Sequence, residues 1–457
     1  MGKAESGRRK GREVRTALWL GRHPGTLATP AAVTASGLEL GWVTTGGVLG
    51  GLGVGLCGWY RAHPDTFDTW AAPRMRAFWR RWSRYVGRRW TDALRACDLY
   101  TVHRKTKEER FPRVLKVRSP SPSVDTVQVR IPPGQHARQW EAKLPELTEA
   151  LKAERVAVER VKPRVIGLVI ERTEPFTEVI DAPDMPQDTD AVDITDLYVG
   201  EDEYGGELRL GVQGGRHTFI AGATGAGKNS IPMGLLRGLA PLIRDGLVRL
   251  WICDPKQMEF STLAPIAHRY ATDTGDCVGL VENFVADMQA VQRRLSAEGQ
   301  RKITVSRETP LNLLILDEIG ALLAYGDGAD ARELRKLLAL VGSQGRATGH
   351  SMHGLVQEPT KDTVPVRDLF TVRICLRVTS ASHVDMVLGD GARLRGALAD
   401  EIPDGEETAG IGYVIRPRSR VPMRFRSAYT TDAEIAELVA FVQHGQHGAG
   451  MDLRVVA

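Results

Sequence analysis

The stretch Ala221-Gly222-Ala223-Thr224-Gly225-Ala226-Gly227-Lys228-Asn229-Ser230 constrains this chain more than any other. A short apolar run, His217 to Ile220, precedes it, and a helix-like run, Ile231 to Leu239, follows. That context reads as strand, glycine loop and helix. Glycine allows backbone paths closed to other residues, so Gly222, Gly225 and Gly227 let the loop wrap closely with its N–H groups turned inward onto phosphate oxygens. The helix N-terminus adds positive potential, and Lys228 reaches the outer phosphates. The pattern is that of a nucleotide P-loop, with one departure. The hydroxyl that normally follows the lysine and ligates magnesium is displaced: Asn229 stands there and Ser230 comes next. Either Ser230 or an Asn229 oxygen must serve, or the site is impaired.

Two later buried strands follow, and the second completes such a site. Leu247 to Cys253 is apolar and closes on Asp254-Pro255-Lys256, and Leu311 to Leu316 closes on Asp317-Glu318. An apolar strand ending in two carboxylates downstream of a P-loop suits a magnesium-shell ligand, Asp317, beside a residue that polarises the attacking water, Glu318. His353 to Gln357 reads as a further strand with a polar end, so Gln357 is a candidate sensor of the outermost phosphate. Thr371 to Val378 reads as another, carrying Arg373 and Arg377. Either arginine could reach a neighbouring subunit's nucleotide, and surface arginine is the ordinary alternative.

The rest of the chain reads as support for this motor. Residues 1–40 are basic, then rich in small residues. Residues 41–60 carry no charge, a length that spans about 30 Å as helix, the thickness of a bilayer core. Eight of the twenty are glycine, which weakens a helix but supplies GxxxG pairs, and Trp42, Trp59 and Tyr60 sit at its ends. A transmembrane helix is therefore expected, with the motor on the cytoplasmic side. In the juxtamembrane segment 61–112, Met75, Trp79, Trp82, Val86 and Trp90 fall on one helical stripe among arginines. That pattern favours an anionic membrane surface, with DNA backbone as the rival. Residues 113–180 read as a small α/β domain, 181–196 as an acidic linker, 197–430 as the motor and 431–457 as a helix and tail.

Charge is uneven. Residues 1–100 hold 16 Lys and Arg against 7 Asp and Glu, and the remainder hold 45 against 49. The five cysteines are scattered without metal-ligand spacing, as in a chain of reduced thiols.

Taken in order, AGATGAGK, CDPKQMEF (253–260), LLILDEIGALL (313–323), HGLVQEP (353–359) and TVRICLRVTSASHVDMVLGDGA (371–392) resemble the FtsK/SpoIIIE family of double-stranded DNA translocases. The resemblance covers roughly residues 115–430. It implies an α/β, RecA-like P-loop NTPase motor with a small preceding α/β domain. It also implies ATP and Mg2+ as cofactors, a homo-hexameric ring around duplex DNA, and ATP-driven pumping. The short anchor, single motor and GKNS variant are most similar to the plasmid-transfer (TraB-type) proteins of mycelial actinobacteria, which move double-stranded DNA between cells. Two features depart from the larger relatives. Only one span is evident, and 28 residues follow Tyr429, too few for their complete winged-helix DNA reader. Two alternatives stay open: a protein-secretion ATPase related to the same family, and a catalytically weak nucleotide-binding membrane scaffold.

A ring would place a few basic residues of each subunit in its pore. The candidates are Arg332, Arg335 and Lys336, which follow the stretch 325–331.

Overall fold

The computed structural model describes residues 33–214, 216–324, 328–360, 366–416, 419 and 421–448. The chain divides into two units, residues 1–75 and 76–457.

In the first unit, α1 (Trp42–Ala62) covers the uncharged stretch, and α2 (Pro64–Trp70) restarts behind a proline in its first turn. The expected membrane span needs correction. The helix forms, but among the described residues no helix is long and apolar enough to cross a membrane. Seven of its 21 residues are glycine, which adds no side chain to transfer from water into hydrocarbon. A Cβ added at Gly46, Gly47, Gly50, Gly51 or Gly55 would meet nothing within 4 Å, so the small-residue surface lies open.

The second unit opens with the basic aromatic stretch, which is not one helix. It divides into α3 (Ala72–Ser83) and α4 (Arg88–Ala96), separated at Gly87, whose φ of +91° breaks the helical path. Trp79 and Phe78 stay exposed, but Tyr85 and Trp90 turn inward. Trp90 donates from its indole N–H to the Pro112 carbonyl at 3.1 Å. Tyr85 donates to Asp125 at 2.6 Å, and Arg80 pairs with the other oxygen of that buried carboxylate at 2.7 Å. So part of the stripe packs within the protein rather than on lipid. The short hairpin β1 (Thr101–Val102) and β2 (Glu109–Arg110) follows.

An antiparallel sheet comes next: β3 (Arg113–Arg118), β4 (Val124–Arg130), β5 (Arg155–Lys162) and β6 (Val165–Glu171), in the order β3-β4-β6-β5. Alternation puts Val127, Val129, Ile166, Leu168, Val156 and Val158 on one face. They form a core with Tyr85, Trp90, Leu94 and the helices α5 (Ala137–Glu141) and α6 (Leu144–Leu151). Pro145 sits in the first turn of α6, where its missing N–H costs nothing.

The motor is a ten-stranded mixed sheet. Its strands are β7 (Leu197–Asp202), β8 (Glu207–Leu210), β9 (Thr218–Ala221), β10 (Val248–Cys253), β11 (Arg269–Ala271), β12 (Leu311–Leu316), β13 (His350–Val356), β14 (Val372–Leu376), β15 (Ile411–Ile415) and β16 (Pro422–Ser427). They lie in the order β11-β10-β12-β13-β9-β14-β15-β16-β7-β8. The first six are parallel and the last four antiparallel. Continuous apolar runs such as β12 are what parallel strands covered on both faces require. On one face Trp251, Leu314, Leu316 and Met352 meet α9 (Thr274–Ala297), α10 (Ile319–Ala324), α11 (Gly328–Thr348) and α12 (Ala381–Leu388). On the other, Leu250, Leu313, Ile315 and Leu355 meet α7 (Ser230–Gly238), α8 (Ala240–Arg244) and α13 (Asp432–Gly448).

The small domain and the motor share a buried ion cluster. Arg155 of β5 bonds Glu171 of β6 and Glu203 after β7, and Arg424 of β16 reaches Glu171 at 2.9 Å. The acidic segment 181–196 lies along the motor, with Arg237 donating to the Pro183 carbonyl at 3.0 Å and Thr189 to Asp245 at 2.5 Å.

Candidate functional site

The glycine loop leaves the sheet at its centre. β9 lies between β13 and β14, both parallel to it, so three strands deliver their C-terminal ends to the same edge. Gly222 donates to the Val356 carbonyl at 3.0 Å and Ala223 to the Arg377 carbonyl at 2.7 Å, which ties the loop to both neighbours. Gly225 and Gly227 hold φ of +76° and +83°. At Gly227 a Cβ would also stand 2.6 Å from the Gly410 nitrogen, so conformation and space both demand glycine. Ala226 is buried, while Thr224 stands exposed at the loop's rim. Lys228 folds back on the loop and donates to the Gly222 carbonyl at 2.9 Å. Burial pulls its ammonium below the usual lysine range. A site that desolvates a cation among carbonyl oxygens is prepared for an anion.

The acidic half lies alongside. β12 pairs with β10 and β13, with Cys253 level with Leu316. That register sets Asp254 and Asp317, the next residues of two parallel neighbours, side by side. Both are buried. One Asp254 oxygen accepts from the Tyr270 hydroxyl at 2.9 Å, and the other is buried with no partner. Asp317 is pushed up to about 6, first by burial and then by the charges of Asp254 and Glu318. Glu318 holds a φ of +51°, uncommon away from glycine, which aims its side chain back across the strand ends. Its carboxylate accepts from the Gln357 backbone N–H at 3.1 Å and pairs with Lys256 at 3.2 Å.

The remaining candidates divide. The Gln357 side chain stands 3.5 Å from the Thr224 hydroxyl, at the loop. Arg377 donates to the Thr224 carbonyl at 2.6 Å and pairs with Asp404 at 2.7 Å, so its guanidinium grips its own chain's loop. Arg373 is the second residue of β14, three before its end, and faces Asp368 at 3.6 Å, away from the glycine loop. Arg332 and Lys336 are exposed on α11, but Arg335 is half-buried and donates to the Leu323 carbonyl at 3.0 Å, closing the end of α10. Residues 325–327 of the stretch before them lie outside the described residues.

A cleft of about 870 Å3 opens beside Lys228 and Asn229. Its far wall includes Asp404, Arg426 and Tyr429, which arrive from the antiparallel strands and the approach to α13. Sequence reading assigned none of these a role, nor Asp254 and Lys256. For Asp254 the signal was present: two apolar strands ending in carboxylates must share an edge once they pair.

Magnesium fits this site. Among the described residues no group of three or more His, Cys, Asp or Glu could hold a metal by itself. Magnesium does not need one, because it binds one or two carboxylates plus substrate phosphates and water. The buried amide oxygen of Asn229 has no partner, and neither has the free oxygen of Asp254. Buried polar atoms are normally satisfied, so these two unpartnered oxygens are available to a cation and its shell. The Asn229 side-chain oxygen is therefore the candidate donor to replace the displaced hydroxyl. Asn229→Ala should weaken magnesium-dependent nucleotide binding about 10-fold while leaving magnesium-free binding unchanged. Titration of a fluorescent ATP analogue with and without magnesium checks this, and an unchanged magnesium dependence removes Asn229 from the shell.

The FtsK/SpoIIIE family model matches residues 184–399. The chain is 23% identical over 265 residues to the DNA translocase FtsK of Helicobacter pylori (strain ATCC 700392 / 26695), covering 54% of this chain and 29% of that protein. It is also 23% identical over 325 residues to the DNA translocase FtsK of Halalkalibacterium halodurans, covering 65% and 39%. The chain thus spans well under half the length of these relatives. Among solved structures, the pCW3 conjugation coupling protein TcpA, monomer form with ATPgS, shares 16% identity over 77% of this chain and 98% of that one. The TM-score is 0.49, a likeness too small to carry an argument. An α/β P-loop fold, a glycine loop facing paired strand-end carboxylates, and the family match agree: residues 184–399 form a P-loop ATPase domain similar to that of the FtsK/SpoIIIE family.

Proposed function

We propose that this protein is an ATP-driven double-stranded DNA translocase that works as a homo-hexamer. We further propose a role in intercellular, conjugative transfer of plasmid or integrative-element DNA. The observation that carries the reading is the placement of Lys228, Asp317 and Glu318 at one edge of adjoining parallel strands, inside a domain whose relatives include proteins named DNA translocase. In this reading Lys228 leaves the loop carbonyls for the outer phosphates of ATP. Asn229 and Asp317 hold magnesium, which supplies neutralisation of phosphate charge when bound. Glu318 orients a water and accepts its proton, and the Gln357 backbone N–H keeps its carboxylate aimed. Gln357 and Arg377, both against Thr224, would report an emptied or filled loop to β13 and β14.

The reading is tested by hydrolysis with and without DNA. Duplex of any sequence should stimulate it, and stimulation should fall steeply between about 50 and 200 mM salt, because phosphate contacts release counterions and carry no sequence information. A protein-secretion motor or an inert scaffold would ignore duplex DNA at every salt concentration.

Localisation at the cell membrane, with the motor cytoplasmic, belongs to the same proposal. It rests on the exposed apolar residues of the first unit, Val43, Leu52 and Val54 among them. Full-length protein should float with vesicles containing anionic lipid, and a chain lacking residues 1–75 should stay behind. Equal recovery of both with vesicles would remove the first unit from membrane attachment.

A further inference from the structure

The boundary at Arg76 redraws the charge map. Residues 76–172 hold 23 Lys and Arg against 11 Asp and Glu, whereas residues 173–457 hold 29 against 40. The small domain is therefore strongly basic and the motor acidic.

Five of those 23 cations lie on one surface. The sheet β3-β4-β6-β5 buries one face in its own core and turns the other outward. Registers align that outer face in three rows: Arg113, Arg130, Val165 and Lys162; Lys116, Gln128, Gly167 and Glu159; Arg118, Thr126, Val169 and Ala157. At one end of the third row Ala157 and Val169 pack with Val421 of the motor, and Ser419 reaches the β5 end of the second row, while the β3 and β4 residues of the first two rows are exposed or half-buried. Arg113, Lys116, Arg118, Arg130 and Lys162 are all exposed. Among the described residues, the ion pairs of the four strands lie elsewhere, on Asp125, Arg155 and Glu171. Glu159 is the one carboxylate in the three rows, and the Ser419 hydroxyl donates to it at 3.3 Å.

Arg113 and Arg130 face each other directly across β3 and β4. Like charges in opposed positions cost stability in a sheet. A surface that sets guanidiniums opposite one another without a carboxylate between them is suited to an anion from outside. The cations span the sheet from β3 to β5, about 14 Å at the usual strand spacing, so they meet several anionic groups at once.

We propose that this outer sheet face is a second contact for the phosphate backbone of duplex DNA, separate from the motor and resting on the translocase reading above. The composition favours DNA over lipid. The rows interleave arginine and lysine with Gln128 and Thr126, the side chains that bind phosphate and sugar, and the large aliphatic exposed beside them, Val161 over Gly167, is a small anchor for a bilayer against five cations. The acidic motor repels phosphates broadly, so a basic platform beside it sets where the duplex can lie.

The test uses full-length protein and a fluorescein-labelled duplex of arbitrary sequence, with anisotropy read across salt. Arg113→Glu/Lys116→Glu/Arg130→Glu should bind at least about 10-fold more weakly near 100 mM salt, with a log–log salt slope shallower by about 3. DNA-free hydrolysis should be unchanged, which shows the fold intact. Should the charge reversal disturb folding, Arg113→Gln/Lys116→Gln/Arg130→Gln should give the same slope change with a smaller loss. Wild-type affinity and slope in the variants overturn the proposal and leave the translocase reading standing. Failure of the wild-type protein to bind duplex DNA overturns both. Loss of binding to phosphatidylglycerol vesicles with DNA binding retained makes the face a lipid surface and overturns the proposal as well.

Discussion

Lys228→Ala should lower the hydrolysis rate by about 100-fold or more, with the fold retained. The lysine is the one cation the loop itself brings to the outer phosphates. Its ammonium is partly buried, bonded to the Gly222 and Ala223 carbonyls and pulled below its usual range by burial. Exchanging those carbonyls for phosphate oxygens turns a burial cost into charge stabilisation that grows as the outer phosphate separates. Losing one such preorganised donor typically costs about 10^2 to 10^3 in rate. The empty protein should lose little stability, because the side chain's bonds are two neutral carbonyls on its own loop. Hydrolysis at the wild-type rate in this variant would place the reaction elsewhere.

Asp317→Asn should abolish turnover and at the same time raise the unfolding midpoint of the nucleotide-free protein at neutral pH. The carboxyl is held up to about 6 by burial and by Asp254 and Glu318, above its ordinary value near 4 in an unfolded chain. A group whose folded value is raised binds its proton more tightly when folded. The empty protein therefore loses stability as pH rises from about 4 through about 6, and regains it as pH falls through that window. At pH 7 the ionised side chain costs up to about 3 kcal/mol, which a neutral amide relieves. Magnesium with ATP should reverse the ranking, because the cation restores the carboxylate's advantage. Thermal unfolding of both proteins at pH 5 and pH 7.5, with and without magnesium and ATP, checks the pattern. A destabilised Asn variant at pH 7.5 without nucleotide would contradict it.

The parts legible in the sequence are those fixed by local geometry. The glycine loop demands positive φ at Gly225 and Gly227 and allows no side chain at Gly227, so its identity survives without any tertiary information. Apolar runs ending in carboxylates likewise announce buried parallel strands. What escaped depends on register and long-range packing. That Asp254 adjoins Asp317 follows only from the alignment of Cys253 with Leu316. Tyr429 and Arg426 reach the cleft from roughly 200 residues downstream of the loop. The aromatic stripe 75–90 carried a sound helical period. The period cannot tell a lipid surface from a protein core, and Gly87 turns Trp90 into the latter. At 41–60 the absence of charge does not amount to apolarity, because glycine supplies none. The charge sums averaged over a boundary at residue 100 and so hid the contrast between basic sheet domain and acidic motor.

The central claim is that hydrolysis at this site moves the protein along duplex DNA. The direct measurement is ATP-dependent displacement of a third strand annealed to a long linear duplex, with full-length protein and magnesium. The account predicts displacement that requires ATP, is independent of flanking sequence, is lost in Lys228→Ala and declines as salt rises. Duplex-stimulated hydrolysis without displacement, on any length of DNA, would contradict it.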